Sequence, residues 1–468
     1  MTDATRLDLY QLTSLLVHWD QQKTQTTAWM SFFSRALPRD HANRTVRKYI
    51  VWAGLKRGLE WLKSMKFDES HLETLQRHPI LGPALSARPG LIEALRNWRF
   101  HGEFWAPKEG ELIWANPALD LSGQPWAMNG VQPAVQTPYF QIKSDIFTLK
   151  LIETPLLSII NHQSMIASKA ANLVDLAHNK PIYEFGTRRT NIDAAVDAAY
   201  AAYLGGCAGT SNVEANHRYQ IPMVGTMDHF AIQAWESPDM HRGQTEFAFF
   251  KAFYEVFPKS ASLLVDTYDT FGEHTGIVNA VKATNGQLTG IRIDSKVNVE
   301  TLEKARKLLD DLGAPHAKIL VSGGLDESNL SELSHSHVDA FGIGERLVTS
   351  EDSPIGVGAV GKLSKVGDRF TMKLSRGSAK ATLPGPVQVF RQDGIDVVAL
   401  QDEQIEGEPL LNLYLDTEKG IDLSDQLNIE TSRQYCHDRR QHYQGKTQSV
   451  RLSNRLLEVV SELAKRDE

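Results

Sequence analysis

Between residues 180 and 345 one pattern recurs: a short apolar run ends in Gly, Asp or Ser, and a stretch with helical character usually follows. The runs are IYEFGT (182–187), CAGTS (207–211), IPMVGTM (221–227), ASLLVDTYDT (261–270), LTGIRIDS (288–295), AKILVSGG (317–324) and DAFGIG (339–344). Most lie roughly 20 to 30 residues apart, the length of a strand plus a crossover helix. NIDAAVDAAYAAYLGG, VETLEKARKLLDDLG and ESNLSELSHS supply helices in the gaps. Runs that are apolar throughout belong to strands buried on both faces, as in parallel sheets covered by helices. The pattern predicts a mostly parallel α/β sheet. A closed barrel accommodates it best, with an open doubly wound sheet as the alternative.

The flanks read differently. Apolar spacing predicts helices in LDLYQLTSLLVHW, RKYIVWAGLKRGLEWLKSMKF and HLETLQRHPIL, with WMSFFSRALP a strand ended by Pro38. Residues 101–145 are rich in Gly, Pro and Trp and read as short strands and turns, followed by a long buried helix from FTLKLIETPLL onward. After Ser350 antiparallel strands return, and the chain closes on an amphipathic helix in SVRLSNRLLEVVSELAKRDE. The expected segments are 1–145, the sheet region 146–350, an antiparallel part 351–430 and a helical end 431–468.

A chain of 468 residues exceeds what one ordinary core supports, so two or three domains are expected. A formal charge of -7 gives no general attraction for polyanions, which argues against nucleic acid as a partner. Cys207 and Cys436 are the only cysteines; far apart and without close-spaced companions, they suit a reducing compartment and offer no zinc site. No apolar run reaches roughly 18 residues and the start lacks a basic, apolar leader, so no membrane span is expected and the cytoplasm is the expected location.

In a parallel barrel the strand ends converge on one face, and the last two strand loops often bind phosphate. Gly323-Gly324 and Gly342-Ile343-Gly344 occupy those loops, where bare backbone N–H groups can wrap an anion, although a glycine at a strand end is more often a turn. Arg188, Arg189 and Arg292 either serve an anion or form surface ion pairs. His229 either accepts a proton or phosphoryl group or is a capped turn histidine. Asp266 and Asp294 either bind Mg²⁺ and face a cationic sugar or act as helix N-caps. Tyr10 and Phe185 offer aromatic faces for a flat ring or pack in the core.

The ordered set DLYQLT, AGLKRGLEWL, IASKAA, EFGTRR, GTSNV, VGTMDH, LLVDTYDT, GIRIDS and SGGLDE resembles nicotinate phosphoribosyltransferases, from near residue 7 to about residue 400. The resemblance implies an irregular α/β barrel of the type II phosphoribosyltransferases, with a second, discontinuous α/β domain built from the N- and C-terminal segments. It implies a homodimer whose active sites lie across the subunit interface. The implied reaction joins nicotinate to phosphoribosyl pyrophosphate, giving nicotinate mononucleotide and pyrophosphate, with Mg²⁺ and accompanying ATP hydrolysis, as the entry step of NAD salvage. By motif, His229 corresponds to a transiently phosphorylated histidine and Thr226 to a nicotinate contact. Phe185 and Tyr10, the latter from the partner subunit, would hold the two faces of the pyridine ring. Arg188 and Arg292 would bind the anionic substrates, and Asp294 would face the ribose and the positive charge developing at its C1. Gly323, Gly324, Gly342, Gly344 and position 345 would take the 5′-phosphate. Ser211 stands where nicotinamide-using relatives place an aspartate, which would repel a carboxylate substrate.

Three positions depart from the family's habit. Lys296-Val297 replace Gly-Asp, Asp228 replaces a small residue before His229, and Glu345 replaces a threonine of the phosphate loop. An added base and an added acid at two strand ends suggest that Lys296 pairs with Glu345. The same substitutions motivate a second reading, a divergent member that binds without turnover or acts on another substrate.

Overall fold

The computed structural model describes residues 4–34, 37, 47, 49–349 and 358–465. The chain divides into two compact units, Met1–Ser168 with Ile355–Glu468, and Lys169–Pro354. The boundary falls inside the helix Ile146–Leu176.

The first unit draws on both ends of the sequence. Its seven-stranded sheet is antiparallel throughout and runs in the order Arg369–Phe370, Val360–Val366, Thr27–Phe33, Phe140–Asp145, Glu103–Ala106, Asn412–Asp416, Ile421–Asp422. Phe140 stacks on Phe32 and Phe104 with ring centroids 4.1 and 4.9 Å apart, and Leu12, Leu15, Leu55, Leu59 and Leu151 join them in one core. A smaller sheet carries the hairpin Val387–Gln392 and Ile395–Leu400; Asp393 and Gly394 turn it with positive φ at both positions, as a tight two-residue turn requires. Arg391 on this hairpin is buried against Glu111 and Asp396.

Two helices expected near the N-terminus are shorter than their apolar spacing suggests. In RKYIVWAGLKRGLEWLKSMKF, Ile50–Val51 form a strand paired with Leu112–Ile113, and helix begins only at Leu55. Gly54 makes the switch at a φ of +115°, with its N–H and that of Leu55 donating to the Glu109 carboxylate at 2.9 and 3.1 Å. HLETLQRHPIL breaks into Glu69–Arg77 and Leu81–Ser86, because Pro79 holds His78 extended. Pro38 lies outside the described residues; the strand before it ends at Phe33.

The second unit contains six parallel strands in the order Ser262–Leu264, Gly290–Ile293, Lys318–Ser322, Ala340–Ile343, Ile182–Glu184, Gly209–Thr210. Alternating helices include Ile192–Leu204, Gly276–Ala283 and Val299–Asp311. Residues 222–227 run from one edge of the sheet to the other. Thr210 exchanges backbone hydrogen bonds with Pro222 and Val224 at 3.0 and 2.9 Å, and Met227 Sδ accepts from Leu264 N–H at 3.4 Å.

Candidate active site

The C-terminal ends of the parallel strands and the loops after them surround a cavity of about 540 Å³, in the size range of small-molecule sites. Phe185, Arg188, Ser211, Thr226, Arg292, Asp294, Gly323, Gly324, Gly342, Gly344 and Glu345 line it, together with Arg189, Asp228 and Arg346. A second cavity of about 410 Å³ shares Phe185, Thr226 and Arg292 and reaches the strand starts at Ser262, Gly290 and Lys318. Tyr10 belongs to the other unit. It stands on the helix Leu9–Asp20 with 55% of its surface exposed and the Lys150 ammonium 5.4 Å from its ring centroid.

Arg292 is the central cation. Its Nη1 donates to the Met227 carbonyl at 3.1 Å, while its Nε is buried without a hydrogen-bond partner. Burial pushes the guanidinium below its ordinary pKa; Asp294, Asp266 and Asp228 oppose that shift and Arg188 adds to it. A half-buried guanidinium that lines a cavity suits a carboxylate or phosphate there.

Asp266 and Asp294 are not helix caps, since the helices that follow them are capped at Thr275 and Asn298. Instead Asp266 Oδ2 accepts from Asp294 N–H at 2.9 Å and from Ser295 Oγ at 2.6 Å, and Ser322 Oγ donates to Asp294 Oδ1. Asp266 Oδ1 is buried without a hydrogen-bond partner and lies 4.0 Å from His229 Nε2. His229 Nδ1 is 3.0 Å from Thr267 Oγ1, which fixes the ring from its other side. Asp228 caps the short helix that His229 begins, accepting from Ala231 N–H at 2.9 Å, so its departure from a small residue has a local reason.

Behind these residues Glu246 is fully buried, with Oε2 accepting from Gly276 N–H at 2.7 Å and Asn279 Nδ2 at 3.0 Å. Burial pushes its carboxyl up to about 7, with Asp266 and Asp269 adding to the rise. A raised folded value means that the stability it contributes is full below its ordinary 4.5 and is lost as pH climbs through 7. Glu246→Gln is expected to flatten that slope and to exceed the wild type at pH 8 by about 2 kcal/mol. Thermal midpoints from pH 4.5 to 8 check it; parallel curves would contradict it.

Two glycines have packing reasons. A Cβ on Gly342 would meet Phe185 ring carbons at 2.3 and 2.5 Å, so the bare strand makes room for one edge of that ring. Gly323, at a φ of +88°, passes so close to Asp294 that a Cβ would sit 2.0 Å from that carbonyl. Gly324 differs, since a Cβ there would meet nothing within 4 Å, which leaves its backbone open to an approaching anion.

The expected partnership of Lys296 with Glu345 does not form. Glu345 Oε2 lies 3.5 Å from Arg189 Nη1 instead. Lys296 stands at a φ of +52°, a conformation that favours glycine and accounts for its being unusual there. Glu184 is not among the residues the sequence marks, and Thr267 falls in the marked strand end DTYD without a role of its own. Glu184, buried, takes hydrogen bonds from Thr210 Oγ1 and Gly186 N–H, and burial raises its pKa against both; a carboxylate inside the apolar run IYEFGT was the available signal.

Residues 6–161 match the family model for the nicotinate phosphoribosyltransferase N-terminal domain, and residues 166–353 that for the quinolinate phosphoribosyl transferase C-terminal domain. A nicotinate phosphoribosyltransferase of Bacillus subtilis is 33% identical over 427 residues, which cover 87% of this chain and 78% of that protein. The chain belongs to the nicotinate phosphoribosyltransferase family. A nicotinate phosphoribosyltransferase of Mycobacterium tuberculosis is likewise 33% identical, over 86% of this chain and 80% of its own. The human nicotinic acid phosphoribosyltransferase structure shares the fold, with a TM-score of 0.75 at 24% identity over 97% of this chain and 99% of that one. In this member of the family, no group of three or more His, Cys, Asp or Glu among the described residues is disposed to hold a metal by itself. No helix among them is long and apolar enough to cross a membrane.

Proposed function

We propose that this protein condenses nicotinate with phosphoribosyl pyrophosphate to give nicotinate mononucleotide and pyrophosphate, with ATP hydrolysed alongside, as a cytoplasmic step of NAD salvage. One observation carries the reading. The guanidinium-bearing Arg292, Asp294 and Phe185 border a single cavity, which is what an anionic flat ring and a cationic sugar need together.

In this reading residues 222–227 close the sheet into an irregular barrel. Phe185 holds one face of the pyridine, Thr226 contacts it, and Arg188 and Arg292 take the anionic groups. Ser211 leaves the carboxylate of nicotinate without a like charge opposite it. As the ribose C1–O bond breaks, its electron pair leaves on pyrophosphate and positive charge grows at C1, where Asp294 stabilises it. The pyridine nitrogen lone pair then forms the new bond. The glycine loops and Gly324 in particular receive the 5′-phosphate.

The orphaned Asp266 Oδ1 and the adjacent Asp294 fit Mg²⁺ as a site of one or two carboxylates completed by substrate phosphates. When bound, the ion supplies charge neutralisation for pyrophosphate. His229, steadied by Thr267, attacks the γ-phosphorus of ATP and releases ADP; water later breaks the N–P bond to return imidazole and phosphate. A second copy of the chain supplies Tyr10 in a homodimer. Phe230 and Trp235, 75% and 45% exposed, support a partner near the site.

The ion pair of Glu345 with Arg189 gives that carboxylate its own cation and so supports the catalytic reading over a non-catalytic one. The test is to incubate the protein with nicotinate, phosphoribosyl pyrophosphate and Mg²⁺, with and without ATP. Nicotinate mononucleotide is expected in both, increased by ATP in the wild type and not in His229→Asn. Absence of product from the wild type would defeat the reading.

A further inference from the structure

Glu345 and Arg189 both line the cavity and pair with each other at 3.5 Å. Thr349 lies between their main chains, its Oγ1 3.4 Å from the Arg189 carbonyl and 3.3 Å from that of Glu345, with its one proton donated to either. The Arg189 N–H is itself tied to the Gly186 carbonyl at 2.8 Å. The pair is therefore set by backbone on both sides. Its charged ends remain free to move, with side chains 45% exposed at Arg189 and 61% at Glu345. Arg346, which lines the same cavity, has a carboxylate of its own, Asp326 at 3.8 Å.

A guanidinium binds carboxylate and phosphate through the same N–H fork, and the phosphate carries more charge. An exposed pair is also weak enough to be exchanged. We propose that Glu345 is a built-in competitor for substrate phosphate: its carboxylate covers Arg189 in the free protein and is displaced when a phosphate group of phosphoribosyl pyrophosphate arrives. The inference rests on the function proposed above only in taking that compound as the anion. Displacement reduces the apparent affinity by the fraction of protein in which Arg189 is covered. Glu345 thus sets the strength of phosphate binding from within the loop, and favours highly charged anions over singly charged ones.

The test is titration calorimetry of the full-length protein with inorganic pyrophosphate and with phosphoribosyl pyrophosphate, both with Mg²⁺. It compares the wild type, Glu345→Gln, Glu345→Thr, Arg189→Gln and the double variant Arg189→Gln/Glu345→Gln. Removing Glu345 is expected to tighten binding by about two- to sixfold, given the weakness of exposed pairs. Arg189→Gln is expected to cost more in the Glu345→Gln background than in the wild type, because only there is the guanidinium uncovered. In turnover, KM for phosphoribosyl pyrophosphate should fall and KM for nicotinate should not follow it. Unchanged or weaker binding by both Glu345 variants, at unchanged thermal midpoints, would overturn the proposal, as would an Arg189→Gln cost equal in both backgrounds. The two readings fail separately. Tighter binding without any product would defeat the activity alone, and product formation with flat binding would defeat the competitor alone.

Discussion

Replacing Arg292 by Gln is expected to lower kcat/KM for nicotinate mononucleotide formation by about a hundred- to a thousandfold, the scale of losing one partner of a buried, hydrogen-bonded charge interaction. Two effects combine. The substrate anion loses the guanidinium that lines its cavity, and Asp294, Asp266 and Asp228 lose the cation whose field they share. Because Nη1 also ties down the Met227 carbonyl, the segment leading to His229 loses an anchor. Arg292→Lys restores charge but not the planar fork, so it should recover only part of the loss. Steady-state kinetics decide the matter, with the thermal midpoint as a check on folding. Activity within threefold of the wild type would remove Arg292 from the site.

The largest effect on stability is expected far from that chemistry, at Arg391. This side chain is 1% exposed and makes a forked contact with Asp396, at 2.6 and 2.8 Å, and a further one with Glu111. It also donates to the Leu112 carbonyl at 2.7 Å and lies 3.6 Å over the Trp114 ring. Burial would raise Glu111, yet Arg391 and Arg439 together hold its carboxyl below the usual range. Arg391→Met strands Asp396, which is wholly buried and then keeps only the Thr137 hydroxyl. A loss of about 3–5 kcal/mol is expected, or on the order of 10 °C in thermal midpoint. Adding Asp396→Leu should return much of it, because an apolar pair leaves no buried charge. A single variant as stable as the wild type would show that water reaches the network.

Much of the site was visible in the sequence because strand ends announce themselves. EFGTRR, RIDS, SGG and GIG each mark where an apolar run stops, and a parallel sheet brings such ends to one side whatever the strand order. The order itself was not visible. Nothing in the apolar runs says that Ile182–Glu184 sits inside the sheet while Ser262–Leu264 sits at its edge, since burial on both faces leaves neighbours unspecified. Substitutions were legible as changes of charge but not of geometry. At Lys296 the sequence displays an added ammonium, whereas the unusual feature in the fold is its positive φ. At position 228 the sequence shows only that Asp replaces a small residue, and not that its carboxylate caps a helix. In RKYIVWA helical spacing lost to a β-branched pair that found a partner strand at Leu112–Ile113, which local periodicity cannot reveal.

The two-ended construction of the first unit also bears on how the chain is made. Thr27–Phe33 and Glu103–Ala106 flank Phe140–Asp145, but their outer neighbours are Val360–Val366 and Asn412–Asp416. At roughly 5–20 residues per second on the ribosome, those neighbours emerge about ten seconds or more after the first three strands are complete. Throughout that interval a half-built sheet holds two unpaired edges, the kind of surface that joins to other chains. The contiguous stretch 169–354, which carries the candidate chemistry, is synthesised while they wait. Recovery of this protein in soluble form is therefore governed by what shields those edges during translation, and slower synthesis or a helper that covers exposed strands should raise the yield without changing a residue of the site.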